Sequence, residues 1–247
     1  MTQSQEHDFN IQAEQPNRQA EAKRGPLRWL LREISGVIIL AAILFLCAGR
    51  LDWPMAWALL GLYVVWIAAN AIILMPRDPA LLAERALRKK SPKRWDTVIL
   101  GVYGFGVMAK YFVAALDVRF GWSESIPLPF QVVMFVLAAL GYGLVTWAMA
   151  SNSFFSMIYR IQAERDHAVA SGGPYRYIRH PGYLGSALFD LATPIALGSW
   201  WAFIPGCLAA LFMIIRTAYE DRTLQDELPG YAEYARRTRF RLLPGVW

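Results

Sequence analysis

Cysteine is nearly absent, with only Cys47 and Cys207 in 247 residues. Both fall in hydrophobic runs without metal-type spacing, so neither a disulfide framework nor a cysteine-ligated metal is expected. Charge is scarce as well. Only 18% of the residues are charged, against 56% hydrophobic and 14% aromatic, and the charges are clustered. That composition excludes an ordinary soluble domain and describes an integral membrane protein. A phosphate-binding Walker loop, a dinucleotide glycine fingerprint, a zinc-type HExxH pair and a serine nucleophile elbow are all missing, which removes phosphoryl transfer, zinc hydrolysis and serine hydrolysis from consideration. Residues 1–24 are polar and rich in Gln and Glu, without the charged-then-apolar order of a cleavable signal. A disordered cytoplasmic tail, extending to about residue 30, is the expectation there.

Long apolar runs are plentiful. A helix needs about 20 residues to cross ~30 Å of hydrocarbon, and runs of that order occupy 34–51, 54–75, 97–116 and 128–150. A fifth stretch, 183–215, is too long for one crossing and is punctuated by Thr193-Pro194 and Gly198-Ser199, so it predicts a helical hairpin turning near Gly198. The expected fold is therefore an all-α integral membrane protein of about six transmembrane helices. Four of them fill residues 31–150, and the last two form the hairpin within 151–247.

Of the 25 Lys and Arg, only Arg50 and Arg119 fall in the predicted outer loops and Lys110 within a span. The remaining basic residues share one face, which the positive-inside rule makes cytoplasmic together with both termini. The net charge of +6 then reflects topology and attraction to anionic lipid, and calls for no nucleic acid partner. The basic block at 85–94 reads as a lipid-surface anchor.

Inside the spans, three polar side chains stand out, because such groups are costly in hydrocarbon. Asn70 suits an interhelical hydrogen bond. Lys110 is placed to snorkel outward or to serve function. Asp190 could pair with an arginine or line a pocket.

Residues 172–183 read Gly-Gly-Pro-Tyr-Arg-Tyr-Ile-Arg-His-Pro-Gly-Tyr. Pro and Gly set tight turns, while Tyr175, Arg176, Arg179, His180 and Tyr183 offer planar faces, fixed cations and a titratable ring. Set between hydrophobic segments, this is a ligand-binding loop at a membrane surface. The preceding polar and aromatic stretch from Ser151 to His167 lacks any sustained period, as site-building segments do. Past the hairpin, a continuing helix puts Arg216 and Glu220 on one face, four residues apart. It should stop before Pro229-Gly230 and be followed by a short helix carrying Tyr231 and Tyr234. The arginines at 236, 237 and 239 fit orientation charges, and Trp247 beside arginines fits a membrane interface.

These residues carry a family resemblance. Gln162, His167, Gly173-Pro174-Tyr175-Arg176, Arg179-His180-Pro181 and Tyr183, then Arg216, Glu220-Asp221, Leu224, Leu228, Gly230-Tyr231 and Tyr234, make the chain similar to the integral-membrane methyltransferases related to isoprenylcysteine carboxyl methyltransferase, among which are the phospholipid methyltransferases. The resemblance covers roughly residues 150–247. It implies S-adenosylmethionine as cofactor, in a cytoplasmic pocket enclosed by the last two spans and both flanking segments, with Gln162, His167, Gly173, Pro174, Tyr175, Arg176, Arg179, His180, Pro181, Tyr183, Glu220 and Asp221 as cofactor-binding candidates. Tyr175 and Tyr183 could cover the adenine or ribose, and Arg176 or Arg179 could pair with the methionine carboxylate. Family members usually have two adjacent glutamates where this chain has Glu220-Asp221.

The implied reaction is methyl transfer to a lipophilic or lipid-linked acceptor, with Arg216 and Glu220 as the catalytic candidates. Arg216 could orient a carboxylate acceptor by a bidentate contact, held in place by Glu220. An amine or thiol acceptor would instead need a base such as Glu220, Asp221 or a histidine. A sterol-type NADPH-dependent membrane reductase looks similar in its last spans and tail, but the His-Pro step after Gly-Pro-Tyr-Arg favours the methyltransferase. A small transporter or scaffold would place its polar residues near mid-bilayer and in both halves, unlike the one-sided clustering here. No metal is expected.

Overall fold

A computed structural model describes the backbone of all residues except 1–2, 78–80, 83–92, 157 and 163–164, and the side chains from Gly25 onward outside those gaps. The expected lipid-anchor block at 85–94 therefore lies outside the described residues, apart from Lys93 and Arg94. The chain is 72% helical, and no strand occurs among the described residues. In chain order the helices are α1 (Gln3–Ala48), α2 (Pro54–Leu74), α3 (Arg94–Phe120), α4 (Leu128–Ala150), α5 (Pro181–Ala196), α6 (Phe203–Glu227) and α7 (Tyr231–Arg237), with one 3-10 turn at Gly173–Arg176. Helix α1 begins inside the polar segment where a disordered tail is expected.

Five of these helices, counting α1 from Gly25, are long and apolar enough to cross a bilayer. They show lipid-facing side chains such as Leu46, Ile72 and Phe105, whose exposure is normal where hydrocarbon is the solvent. The sixth expected crossing is α5. Its 16 residues span about 24 Å, short of the ~30 Å hydrocarbon layer, and 11 of them are buried against neighbouring helices. Pro194 lies inside it and has no N–H for the carbonyl of Asp190, four residues earlier. Gly198 then takes φ +86 and the chain reverses into α6. The hairpin turn thus falls where Gly198 predicts it.

The turns at 49–53, between α3 and α4 at 121–127, and at 197–202 share one end of the bundle. Arg119 donates to the Cys47 carbonyl across 3.4 Å, Ser199 bonds Asp117, and the Trp200 amide donates to Ser123 Oγ at 3.0 Å. Helices α4 and α5 approach by direct backbone contact. A Cβ on Gly141 would lie 2.6 Å from the Gly185 carbonyl oxygen, and one on Gly185 2.5 Å from that of Gly141. Small residues are what allow this approach where lipid supplies no hydrophobic drive. Gly185→Val is accordingly expected to destabilise by about 1–3 kcal/mol or more, seen as a lower melting temperature in detergent; an unchanged melting temperature would contradict the contact.

Asn70 bridges α2 to α4 through Thr146 Oγ1 at 3.3 Å, as expected of it. Lys110 and Asp190 pair with each other inside the bundle, with side chains 1% and 2% exposed. This corrects the snorkelling alternative for Lys110 and the arginine partner for Asp190. A buried ammonium in hydrocarbon is stabilised far more by a counter-charge at its own depth than by a stretched path to the surface.

Candidate functional site

The linker 151–172, the entry to α5, the distal part of α6 and α7 surround an open cleft of about 730 Å³, part of it continuous with solvent. Phe154, Phe155, Tyr175, Tyr231 and Tyr234 supply aromatic walls, Leu224, Leu228 and Val169 an apolar floor, and Asn152, Arg160, His167, Arg179, His180, Tyr183 and Glu220 the polar groups. That mix suits a mostly apolar ligand with a few polar anchors.

Asp221 holds one wall together. Fully buried, it accepts both Nε of Arg179 at 2.6 Å and the second guanidinium nitrogen at 2.9 Å, the Tyr231 hydroxyl at 3.1 Å, Gln225 Nε2 at 2.9 Å and Arg241 Nε at 2.8 Å, with His180 Nε2 3.2 Å away. Nη1 of Arg179 donates to the carbonyls of Thr238 and Arg239, both at 2.8 Å. The backbone adds two more ties, Arg179 N–H to Phe240 O and His180 N–H to Arg241 O, each 2.9 Å. One aspartate thereby fastens the loop, α6, α7 and the C-terminal segment to each other.

The neighbouring acid faces the cleft. Tyr183 donates its hydroxyl to Glu220 Oε2 at 2.5 Å and lies parallel to the His180 ring at 5.6 Å, while the Arg216 guanidinium sits over the Tyr183 ring at 5.1 Å. The salt-bridge partner of Arg216 is Asp96, at the start of α3, through Nε at 2.8 Å; Asp96 also accepts the Tyr159 amide at 2.7 Å. Sequence reasoning missed Asp96, whose signal is faint. It stands next to the basic block and looks like an interfacial charge, although a buried Arg216 four residues before Glu220 demands a carboxylate from somewhere. Asp96→Asn should cost about 3 kcal/mol or more by stranding a buried guanidinium, measured as lost thermal stability; a silent substitution would remove Asp96 from the site's frame.

Of the candidate residues, the cleft gathers His167, Tyr175, Arg179, His180, Tyr183 and Glu220. It does not gather the others. Gln162 is buried behind it, its side-chain Nε2 donating to the Phe154 carbonyl at 3.0 Å and its backbone N–H to His167 Nδ1 at 3.2 Å, which steadies His167 against the Phe154 ring 4.4 Å away. Gly173 holds φ +56, where a Cβ would strike Ser151 and Trp147, so it shapes the loop; Pro174 is buried beside it. Arg176 is exposed outside the cleft. Pro181 begins α5, Asp221 is enclosed, and Arg216 lies behind Tyr183. Phe154, Tyr231, Tyr234 and Asn152 enter the wall beyond the expected set; Asn152 donates to the Tyr175 hydroxyl at 3.2 Å and Tyr234 to the Tyr175 carbonyl at 2.7 Å. Burial pushes the Tyr234 phenol up to about 12 and raises those of Tyr175 and Tyr231 further, so all three remain hydrogen-bond donors at neutral pH.

Residues 130–228, from α4 through the loop and hairpin to the end of α6, match the phospholipid methyltransferase family, a family of membrane methyltransferases that includes the isoprenylcysteine carboxyl methyltransferases. The match supports a membrane methyltransferase in general terms. With five helices of spanning length, it makes the chain an integral membrane protein. The chain is also 31% identical to the cobalt-zinc-cadmium resistance protein CzcN of Cupriavidus metallidurans, over 43% of this chain and 58% of that protein. It therefore spans under three fifths of that relative's length. Among the described residues no three His, Cys, Asp or Glu side chains are grouped as metal ligands.

Proposed function

We propose that the chain transfers a methyl group from S-adenosylmethionine to a lipophilic or lipid-linked acceptor at the membrane, as the protein-S-isoprenylcysteine carboxyl methyltransferases it resembles do. The observation that carries this reading is Glu220, held by Tyr183 in an aromatic-walled cleft at the mouth of a spanning bundle. The donor set fits such a cofactor. Phe154, Tyr175, Tyr231 and Tyr234 offer faces for a planar base, Glu220 an acceptor for ribose hydroxyls or a counter-charge for a sulfonium, and Arg160 and His167 donors for a carboxylate. Arg179 has most of its donors committed to Asp221 and to the carbonyls of Thr238 and Arg239, so its main part is to frame the cleft. Bound there, the cofactor supplies an electrophilic methyl carbon.

The chain's own residues would then position the acceptor. Arg216, locked by Asp96 and backed by Tyr183, presents a fixed cation behind the cleft, and Glu220 is the group placed to accept a proton from an acceptor that carries one. Residues 151–247 build the cofactor region, and the four helices before them shape the acceptor's route from the bilayer. Both termini are cytoplasmic on this reading, because among the described residues most of the basic side chains lie at the cleft's end of the bundle.

Calorimetric titration of detergent-purified protein with S-adenosylmethionine tests it. Micromolar binding, about −8 kcal/mol, weakened at least tenfold by Glu220→Ala and His180→Ala, is the expected result. Absence of binding by the wild type would sink the reading.

A further inference from the structure

A second cavity lies inside the bundle, at the level of Asp190. It holds about 290 Å³, open at one side, between α1, α2, α3, α4 and α5. Its lining is aromatic and hydroxylic: Tyr63, Trp66, Tyr103, Tyr111, Tyr142 and Phe189. Tyr142 stacks flat on Phe189 at 3.8 Å, with Tyr63 edge-on to both.

The cavity is aligned with the cleft. Tyr183, Ser186 and Asp190 stand at i, i+3 and i+7 on one face of α5; Tyr183 lines the cleft, while Ser186 and Asp190 line the inner cavity. Seven residues of helix put Asp190 about 10 Å deeper than Tyr183. On α3 the same step of seven leads from Asp96, the counter-ion of Arg216, to Tyr103 in the cavity wall. The Arg216–Asp96 pair and Tyr183 thus form the partition between the two spaces.

Charge in the cavity is already balanced. Lys110 neutralises Asp190 through Oδ1, and Arg32 at the rim pairs with Glu33. Asp190 Oδ2 is different: it is buried and, among the described residues, has no hydrogen-bond partner, although Tyr103 lies close enough to interact with the carboxylate. A carboxylate oxygen without a donor in a low-dielectric site favours whatever brings one. A ligand carboxylate would be repelled by Asp190. A ligand ammonium would add a second cation beside Lys110, whose Nζ already lies over the Tyr111 and Phe189 rings at 4.8 and 4.9 Å. A neutral hydroxyl meets neither penalty.

Resting on the methyltransferase reading above, we infer that this cavity is the acceptor's chamber and that it selects a neutral lipophilic molecule bearing a hydroxyl, alcohol or phenol, which donates to Asp190 Oδ2 after a small rotation of that side chain opens it to the cavity. The aromatic wall covers the adjoining part of the molecule, its apolar remainder extends toward lipid, and the hydroxyl at Asp190 serves as the group by which the molecule is recognised, on the far side of Tyr183 and Arg216 from the cofactor cleft.

The test is a thermal-shift comparison in uncharged detergent with three probes of equal chain length: 4-decylphenol, decylamine and decanoate. The phenol is expected to raise the melting temperature of the wild type by several degrees through preferential binding to the folded state, and the other two not to. Asp190→Leu alone strands Lys110, so the decisive variant is Lys110→Met/Asp190→Leu, in which an apolar pair replaces a buried ionic one and folding is retained. That variant, checked by its helical circular dichroism and a single sharp transition, should lose the response to the phenol. Equal shifts from all three probes, no shift from the phenol, or an undiminished phenol response in the double variant would each overturn the inference. S-adenosylmethionine is added in a parallel arm: failure of the wild type to respond to it, beside an intact phenol response, would reject the methyltransferase reading and leave the hydroxyl site standing.

Discussion

Replacing Asp221 with asparagine is expected to lower the melting temperature of the detergent-solubilised protein by roughly 6–20 °C. The figure combines about 3–5 kcal/mol for removing one partner of a buried ion pair with about 2–4 °C per kcal/mol for a chain of this size. The asparagine keeps the volume but cannot neutralise Arg179, whose guanidinium is buried with it, and one amide oxygen cannot replace two carboxylate oxygens that accept five donors. Because the same aspartate ties α6 to α7 and to the C-terminal segment, cofactor binding should fall with stability. A melting temperature within about 2 °C of the wild type would show that this network does not hold the fold together.

Its neighbour should behave in the opposite way. Glu220→Gln is expected to cut methyl transfer by about 10²–10⁴-fold, the range associated with a positioned acid or base, while costing only about 1 kcal/mol of stability, the worth of the single hydrogen bond from Tyr183. Glutamine can still accept that bond, but it has neither charge nor basicity to offer the cleft. The pair of measurements, kcat and melting temperature on both variants, separates two acids that are adjacent in sequence. A Glu220→Gln enzyme with near wild-type turnover would remove Glu220 from the chemistry and shift attention to His180.

Much of this fold could be read directly from the chain. The limits of α4 coincide with the hydrophobic run bounded by Pro127 and Ser151, and the hairpin turns at Gly198, because Pro and Gly act locally and leave local marks. The clustering of His167, Tyr175, His180 and Tyr183 followed from a motif-rich region that could not serve as a span, and Glu220 from the helix that continues past the hairpin. Pairings between distant residues were not legible. Lys110 and Asp190 are 80 residues apart, Arg216 and Asp96 120 apart, and nothing in the flanking residues of either announces its partner. The division of labour between Glu220 and Asp221 was equally hidden. On a helix, adjacent residues point about 100° apart, so one step decides which acid meets the cleft and which meets Arg179.

The two backbone bonds that join residues 179 and 180 to residues 240 and 241 also have a consequence for the order in which the protein is made. The spanning helices can enter the bilayer one after another as they are made, but the segment that closes the wall of the cleft is synthesised after every helix of the bundle. Until residue 241 has emerged and folded back, the wall of the cleft lacks the ties that Arg241 and the carbonyls of residues 238–241 give to Asp221, Arg179 and His180. A fusion placed directly on that segment is therefore expected to loosen the cleft's wall while leaving the spanning helices in place.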